Sequence, residues 1–157
     1  MSNKLIKLRE LMRINNVDLL VLGPGTHMRW LLGFNPYPDE RPCMLLIGKE
    51  KEAFLMPSVN AEDARKRTDI AINSWKDEDG PDHALKEALL YIGESAAKHI
   101  AIDEAMRSHF ALIAIEALPN PTYEFTGSTI GALRMRKDQT EFINLKENAL
   151  IDDRAMQ

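Results

Sequence analysis

Residues 17–23, VDLLVLG, constrain the fold more than any other stretch of the chain. The run is far shorter than the ~20 apolar residues of a membrane span. It also lacks the polar–apolar alternation of a strand with one wet face. A short strand that is apolar on both sides must be covered on both sides, as parallel strands inside an α/β sheet are. The segments around it agree. Residues 4–15 carry Leu5, Leu8, Leu11 and Met12 at helical spacing opposite a charged face. Residues 24–32 read as a short helix with Thr26 as N-cap and Gly33 as its end.

Strand and helix then alternate to the C-terminal part of the chain. CMLLIGK and EAFLMP read as two strands joined by the charged turn GKEKE around Gly48. NAEDARKR reads as a helix, IAINSWK as a strand, and residues 82–92 as a helix with Leu85, Ala88, Leu89 and Ile92 on one face. HIAIDE is a strand, AMRSHFALIAIEALP a helix and TYEFTG a strand, with further helices over 128–136 and 139–157. This rhythm predicts an α/β domain built on a mixed sheet. The alternation stops near 137, at RKDQTEF. Asp138 and Glu141 have the spacing of a capping box, and the helix they open runs to Gln157 without a stop signal. A helix that begins well and carries no stop is expected where a chain is a fragment of a longer one.

Charge and cysteine content narrow the function. With 20 basic and 24 acidic residues the net charge is −4, and the basic cluster Arg134, Arg136, Lys137 is short. Neither nucleic acid nor an anionic membrane is an expected partner. The lone Cys43 sits in the strand PCMLLI as a small hydrophobe and cannot form an internal disulfide. It fits a reducing compartment, and the charged N-terminus is no signal peptide, so the cytoplasm is the expected location.

No active site emerges from the residues themselves. GPGTHM at 23–28 follows a strand and opens a helix, but Met28 stands where a dinucleotide loop has its third glycine, and Pro24 removes an amide. His27, His83, His99 and His109 lie far apart without a metal-binding spacing, so no metal ligand is assigned. The acids at 77–79 and 103–104 suit turns and helix starts. The unusual feature is a loop in RWLLGFNPYPDERPCMLLI, residues 29–47: stiffened by Pro36, Pro38 and Pro42, charged through Asp39, Glu40 and Arg41, and aromatic through Tyr37 with Trp30 nearby.

Three ordered stretches resemble the N-terminal domain shared by prolidases, Xaa-Pro aminopeptidases and creatinases. They are GTHMRWLLGFNP…DERPCMLLI, EAFLMPSVNAEDAR and LRMRKDQTEFINLKENALIDDRAM. The resemblance implies a three-layer α/β fold of ribonuclease H-like type, with helices on both faces of a mixed sheet. It also implies a division into residues 1–137, the N-terminal domain, and 138–157, the first helix of a pita-bread metallopeptidase domain. Two divalent ions (manganese, cobalt or zinc) would belong to that later domain and none to this chain, which would hold no catalytic residue. The full-length protein would be a homodimer hydrolysing proline-containing peptides at Xaa-Pro bonds. Tyr37, Asp39, Glu40, Arg41 and Trp30 are the implied substrate-loop or interface residues, with Arg41 able to grip a carboxylate through two N–H bonds. The family loop often reads P-H-E-R, and Asp39 replaces that histidine. An aminopeptidase or creatinase-like enzyme, or a free-standing α/β interaction module, are the alternatives.

Overall fold

The computed structural model describes residues 3–156. The limits expected at residues 1 and 157 fall just outside that range. Six strands form one mixed sheet in the order β4-β3-β2-β1-β5-β6. They are β1 (Leu19–Leu22), β2 (Met44–Ile47), β3 (Glu52–Pro57), β4 (Ala71–Trp75), β5 (His99–Ile102) and β6 (Thr122–Phe125). β2 is antiparallel to both β1 and β3, while β3–β4, β1–β5 and β5–β6 pair in parallel, so β2 alone runs against the other five.

Side-chain alternation along these strands builds two cores. Leu19 and Val21, Met44 and Leu46, Ala53 and Leu55, Ile100 and Ile102 face one side. There α4 (Asp82–Ile92) and α5 (Ser108–Glu116) cover them with Leu85, Leu89, Phe110 and Ala114. Leu20 and Leu22, Leu45 and Ile47, Phe54 and Met56 face the other side. Their cover is α1 (Asn3–Ile14), α2 (Thr26–Leu32), α3 (Ser58–Arg65) and α6 (Ile130–Met135). The expected three-layer α/β architecture is therefore present. Every residue of β1 and β2 is buried, as their apolar runs require.

Local signals behave mostly as read. Gly33 closes α2 in the left-handed conformation at φ 80°, its N–H returning to the Arg29 carbonyl at 2.8 Å. In the β2–β3 turn, the Gly48 N–H bonds the Lys51 carbonyl at 2.8 Å. Gly48 also abuts Glu94 so closely that a Cβ would lie 2.8 Å from its Cγ. Asp138 and Glu141 form the expected capping box of α7 (Gln139–Ala155). Several boundaries differ, among them the helix expected over 128–136, which is a 3-10 turn at Thr126–Ser128 followed by α6. Thr26 is the first residue of α2, not its N-cap; Gly25 holds that position and the Thr26 hydroxyl is engaged by Arg134 instead. α3 starts two residues before the expected point, directly after Pro57, whose fixed φ of −58° suits a helix start. α5 is shorter than its apolar run because Asp103 folds residues 103–106 into a turn, accepting the Ala105 N–H at 2.9 Å.

Phe54 is fully buried on the interior strand β3 and meets Phe34 with ring centroids 6.2 Å apart. Phe54→Ala is expected to lower stability by about 3–5 kcal/mol, read as a reduced midpoint in urea with circular dichroism detection.

Candidate functional site

The loop over residues 34–43 joins α2 to the start of β2. Because β2 is reversed, Met44 lies beside the end of β1, with Leu45 opposite Leu22. The loop therefore crosses the edge of the sheet at which the parallel strands end. Its attachments are all specific. Asn35 Oδ1 accepts the Gly25 N–H at 2.7 Å. The Trp75 indole N–H donates to the Pro42 carbonyl at 2.9 Å inside the core. The Asp39 carboxylate accepts the Arg41 N–H at 2.9 Å, and His109 Nε2 donates to the Glu40 carbonyl at 3.3 Å.

Arg41 grips the Asp77 carboxylate with two parallel bonds, Nε to Oδ1 at 2.9 Å and Nη2 to Oδ2 at 3.0 Å. That hydrogen bond pulls the Asp77 carboxyl below, and pushes the Arg41 guanidinium above, their ordinary values. Asp39 and Glu40 stand 3.9 and 3.7 Å from Nη1. The two-pronged carboxylate grip expected of Arg41 is thus made within the chain. Tyr37 projects at 78 % exposure with no such tie. Trp30 lies apart from these residues: half-buried on α2, it donates its indole N–H to Glu141 at 2.5 Å. Cys43 is buried, and burial pushes its thiol up to about 12, so it stays protonated and is no nucleophile.

The fold also assembles a group that sequence spacing hides. His27 follows β1, Asp103 and Glu104 follow β5, and Thr126 follows β6, so adjacent parallel strands bring them together. The possible ligand atoms of His27, Asp103 and Glu104 all lie within 4.8 Å of one another, the one such triple among the described residues. The proton count argues against a cation there. Arg134 donates to His27 Nδ1 at 2.9 Å, so the ring proton sits on Nε2, facing Thr126 Oγ1 at 3.2 Å and Glu104 Oε1 at 3.5 Å. The Thr126 hydroxyl in turn donates to Glu104 Oε2 at 2.6 Å. An ion on Nε2 would require an imidazole with no ring proton, backed by a guanidinium. The arrangement is a donor chain from Arg134 through His27 and Thr126 to Glu104. Burial pushes both carboxyls up. It prevails at Asp103, which is raised, whereas at Glu104 the Thr126 hydroxyl, backbone N–H groups and His27 together outweigh it and leave the carboxyl low.

The sign for stability follows from that direction. A lowered Glu104 carboxyl contributes stability at neutral pH that is lost as acid titrates it. Thr126→Val, which removes the donor, is expected to cost about 1–3 kcal/mol at pH 7. The difference from the parent should shrink as pH falls through and below the ordinary glutamate range, as measured by urea unfolding across that range.

Comparison with known proteins fits this geometry. No curated protein matches the sequence. Among solved structures, a dipeptidase from Pyrococcus horikoshii OT3 is 27 % identical with a TM-score of 0.76, over 87 % of this chain and 38 % of its own. A prolidase from Thermococcus sibiricus, 20 % identical with a TM-score of 0.83, aligns with 99 % of this chain and 43 % of its own. The creatinase/prolidase N-terminal domain of an X-Pro dipeptidase from Streptococcus pyogenes, 18 % identical with a TM-score of 0.70, covers 79 % of this chain and 94 % of its own. The chain thus spans less than half the length of the first two. Residues 4–136 match the creatinase/prolidase N-terminal domain as a family, and the chain belongs to that family.

Proposed function

We propose that this chain is the non-catalytic N-terminal domain, residues 1–137, of an Xaa-Pro dipeptidase-like metallopeptidase, with 138–157 opening the catalytic domain. The full-length protein would hydrolyse Xaa-Pro bonds as a cytoplasmic homodimer, with two divalent ions (manganese, cobalt or zinc) held by residues downstream. Membership of the family carries this reading, and the chemistry of the chain supports it. The one histidine–carboxylate triple among the described residues, His27 with Asp103 and Glu104, is engaged in internal hydrogen bonds, the thiol is buried, and the stiff loop has nothing of its own to act on. No helix among the described residues is long and apolar enough to cross a membrane.

The loop would form a lip at the active-site mouth of the partner subunit. Rigid attachment suits that role, since a loop already held in its bound shape loses little entropy when substrate arrives. Tyr37, the exposed aromatic of the loop, would touch substrate or partner. Asp39, where the family often has histidine, holds the Arg41 amide instead of offering a proton donor. Arg41, held by Asp77, would keep the lip in place.

The first test is hydrolysis of an Xaa-Pro dipeptide with Mn²⁺: activity from the full-length protein and none from residues 1–157 is expected. Appreciable turnover by the short chain would overturn the reading. Within the full-length enzyme, Arg41→Ala and Asp77→Asn should lower kcat/KM together if Arg41 holds the loop through Asp77. A loss with Arg41→Ala alone would show that Arg41 meets the substrate directly, and no change in either would reduce the loop to scaffold.

A further inference from the structure

One face of α2 seats the last two helices. Thr26, His27 and Trp30 are spaced so that their side chains share a stripe. Arg134, at the end of α6, donates to Thr26 Oγ1 at 3.1 Å and His27 Nδ1 at 2.9 Å. One helical turn along α2, the Trp30 indole N–H donates to Glu141 Oε1, in the first turn of α7, at 2.5 Å. Glu141 Oε2 accepts the Asp138 N–H at 3.1 Å, and Asp138 Oδ1 accepts the Glu141 N–H at 2.8 Å, so the residue that caps α7 also anchors it. Lys4 of α1 completes the arrangement. Its ammonium lies 4.2 Å above the Trp30 ring, donates to the Trp30 carbonyl at 3.0 Å and stands 3.6 Å from Glu141.

Beyond that first turn, no hydrogen bond or ion pair joins α7 to the other described residues, though Asn144, Leu145 and Asn148 share a shallow groove with Trp30 and Arg134. None of its 17 residues is buried, and Phe142, Leu145, Leu150 and Ile151 are more than half exposed. A helix held at one end takes its direction from that end. A swing of about 10° at the joint moves the tip of a helix about 26 Å long by roughly 4–5 Å. Misplacing catalytic groups by about 1 Å can cost about 100-fold in rate.

We propose that Thr26, His27 and Trp30 on α2, with Lys4 and their partners Arg134 and Glu141, form a joint that fixes the angle at which α7 leaves the sheet domain. They are positioning residues for whatever α7 leads into. That second statement rests on the peptidase reading, and the joint itself does not. The two bonded pairs sit one turn apart on a single rigid helix, so they resist rotation as well as bending. Glu141 serves both the cap and the tether, so its loss releases the helix start from the domain and from its own capping box at once.

The test places spin labels at Arg65→Cys on α3 and Asn148→Cys on α7, both exposed, with Cys43 buried and unlabelled. Pulsed dipolar spectroscopy on residues 1–157 should give one narrow distance distribution. Trp30→Phe and Arg134→Gln should each broaden it while helix content by circular dichroism stays at the parent level. Glu141→Ala should broaden it too, and Glu141→Gln, whose single carbonyl oxygen can accept from Trp30 or from the Asp138 amide but not from both, should broaden it less than Glu141→Ala. Unchanged widths in both Trp30→Phe and Arg134→Gln would overturn the joint, whatever the full-length protein catalyses. In the full-length enzyme Trp30→Phe should reduce kcat/KM by about tenfold or more with unchanged metal content. Unchanged kcat/KM would overturn the positioning role. Complete absence of Xaa-Pro hydrolysis in the parent, with the distance changes intact, would overturn the peptidase reading and leave the joint standing.

Discussion

Burial of the central strands on both faces is the constraint from which the rest of the structure follows. β1, β2 and β3 expose almost nothing, and each sends alternate residues into two separate cores. A sheet of that kind cannot exist without two layers of helices, because either bare face would leave a row of leucines, valines and methionines in water. The helices are therefore placed by need: α4 and α5 on one side, and α1, α2, α3 and α6 on the other. α7 alone has no place in this arrangement, and among the helices of the described residues it alone is left without a buried residue.

The reversed strand β2 concentrates chemistry at one edge. Five strands end there, and β2 begins there. His27, Thr126, Asp103 and Glu104 follow strand ends, Asp77 follows β4, and the loop with Asp39, Glu40 and Arg41 precedes β2. In a sheet of mostly parallel strands the crevice beyond the carboxyl ends is where ligands usually sit. Here the polar groups at that edge satisfy one another: Arg41 with Asp77, and His27 with Thr126, Glu104 and Arg134. The edge is braced by these pairs.

Much of the fold could be read along the chain. Strand runs such as LLVL and MLLI are short and uniformly apolar, Gly33 and the Asp138–Glu141 pair punctuate helices, and these signals are local. The candidate site was less legible for the opposite reason. Arg41 meets Asp77 across 36 residues, and Trp30 meets Glu141 across 111. Nothing in the composition of DER or QTEF names those partners; they become neighbours only when β4 pairs beside β3 and α6 packs on the sheet. Thr26 shows the same limit on a small scale. It looked like an N-cap because a hydroxyl near a helix start satisfies a free amide, yet Gly25 took the cap and left the hydroxyl to Arg134. The cluster around His27 left one usable trace, which is that chemically capable residues directly follow apolar strands.

The prolines of the 34–43 loop have a consequence of their own. Tyr37 is the kind of exposed loop-tip residue at which proteases nick folded proteins. Yet it lies between Pro36 and Pro38, and the bond that follows it is an Xaa-Pro bond. A proline nitrogen has no hydrogen to donate to a protease cleft, and its ring holds φ near −65°. Three such bonds fall within the eight residues 35–42, before Pro36, Pro38 and Pro42, and Asp39, Asp77 and Trp75 hold the loop against being drawn out into an extended strand. The most accessible aromatic of this domain is thus shielded from general proteolysis by the residue type that makes most peptidases fail.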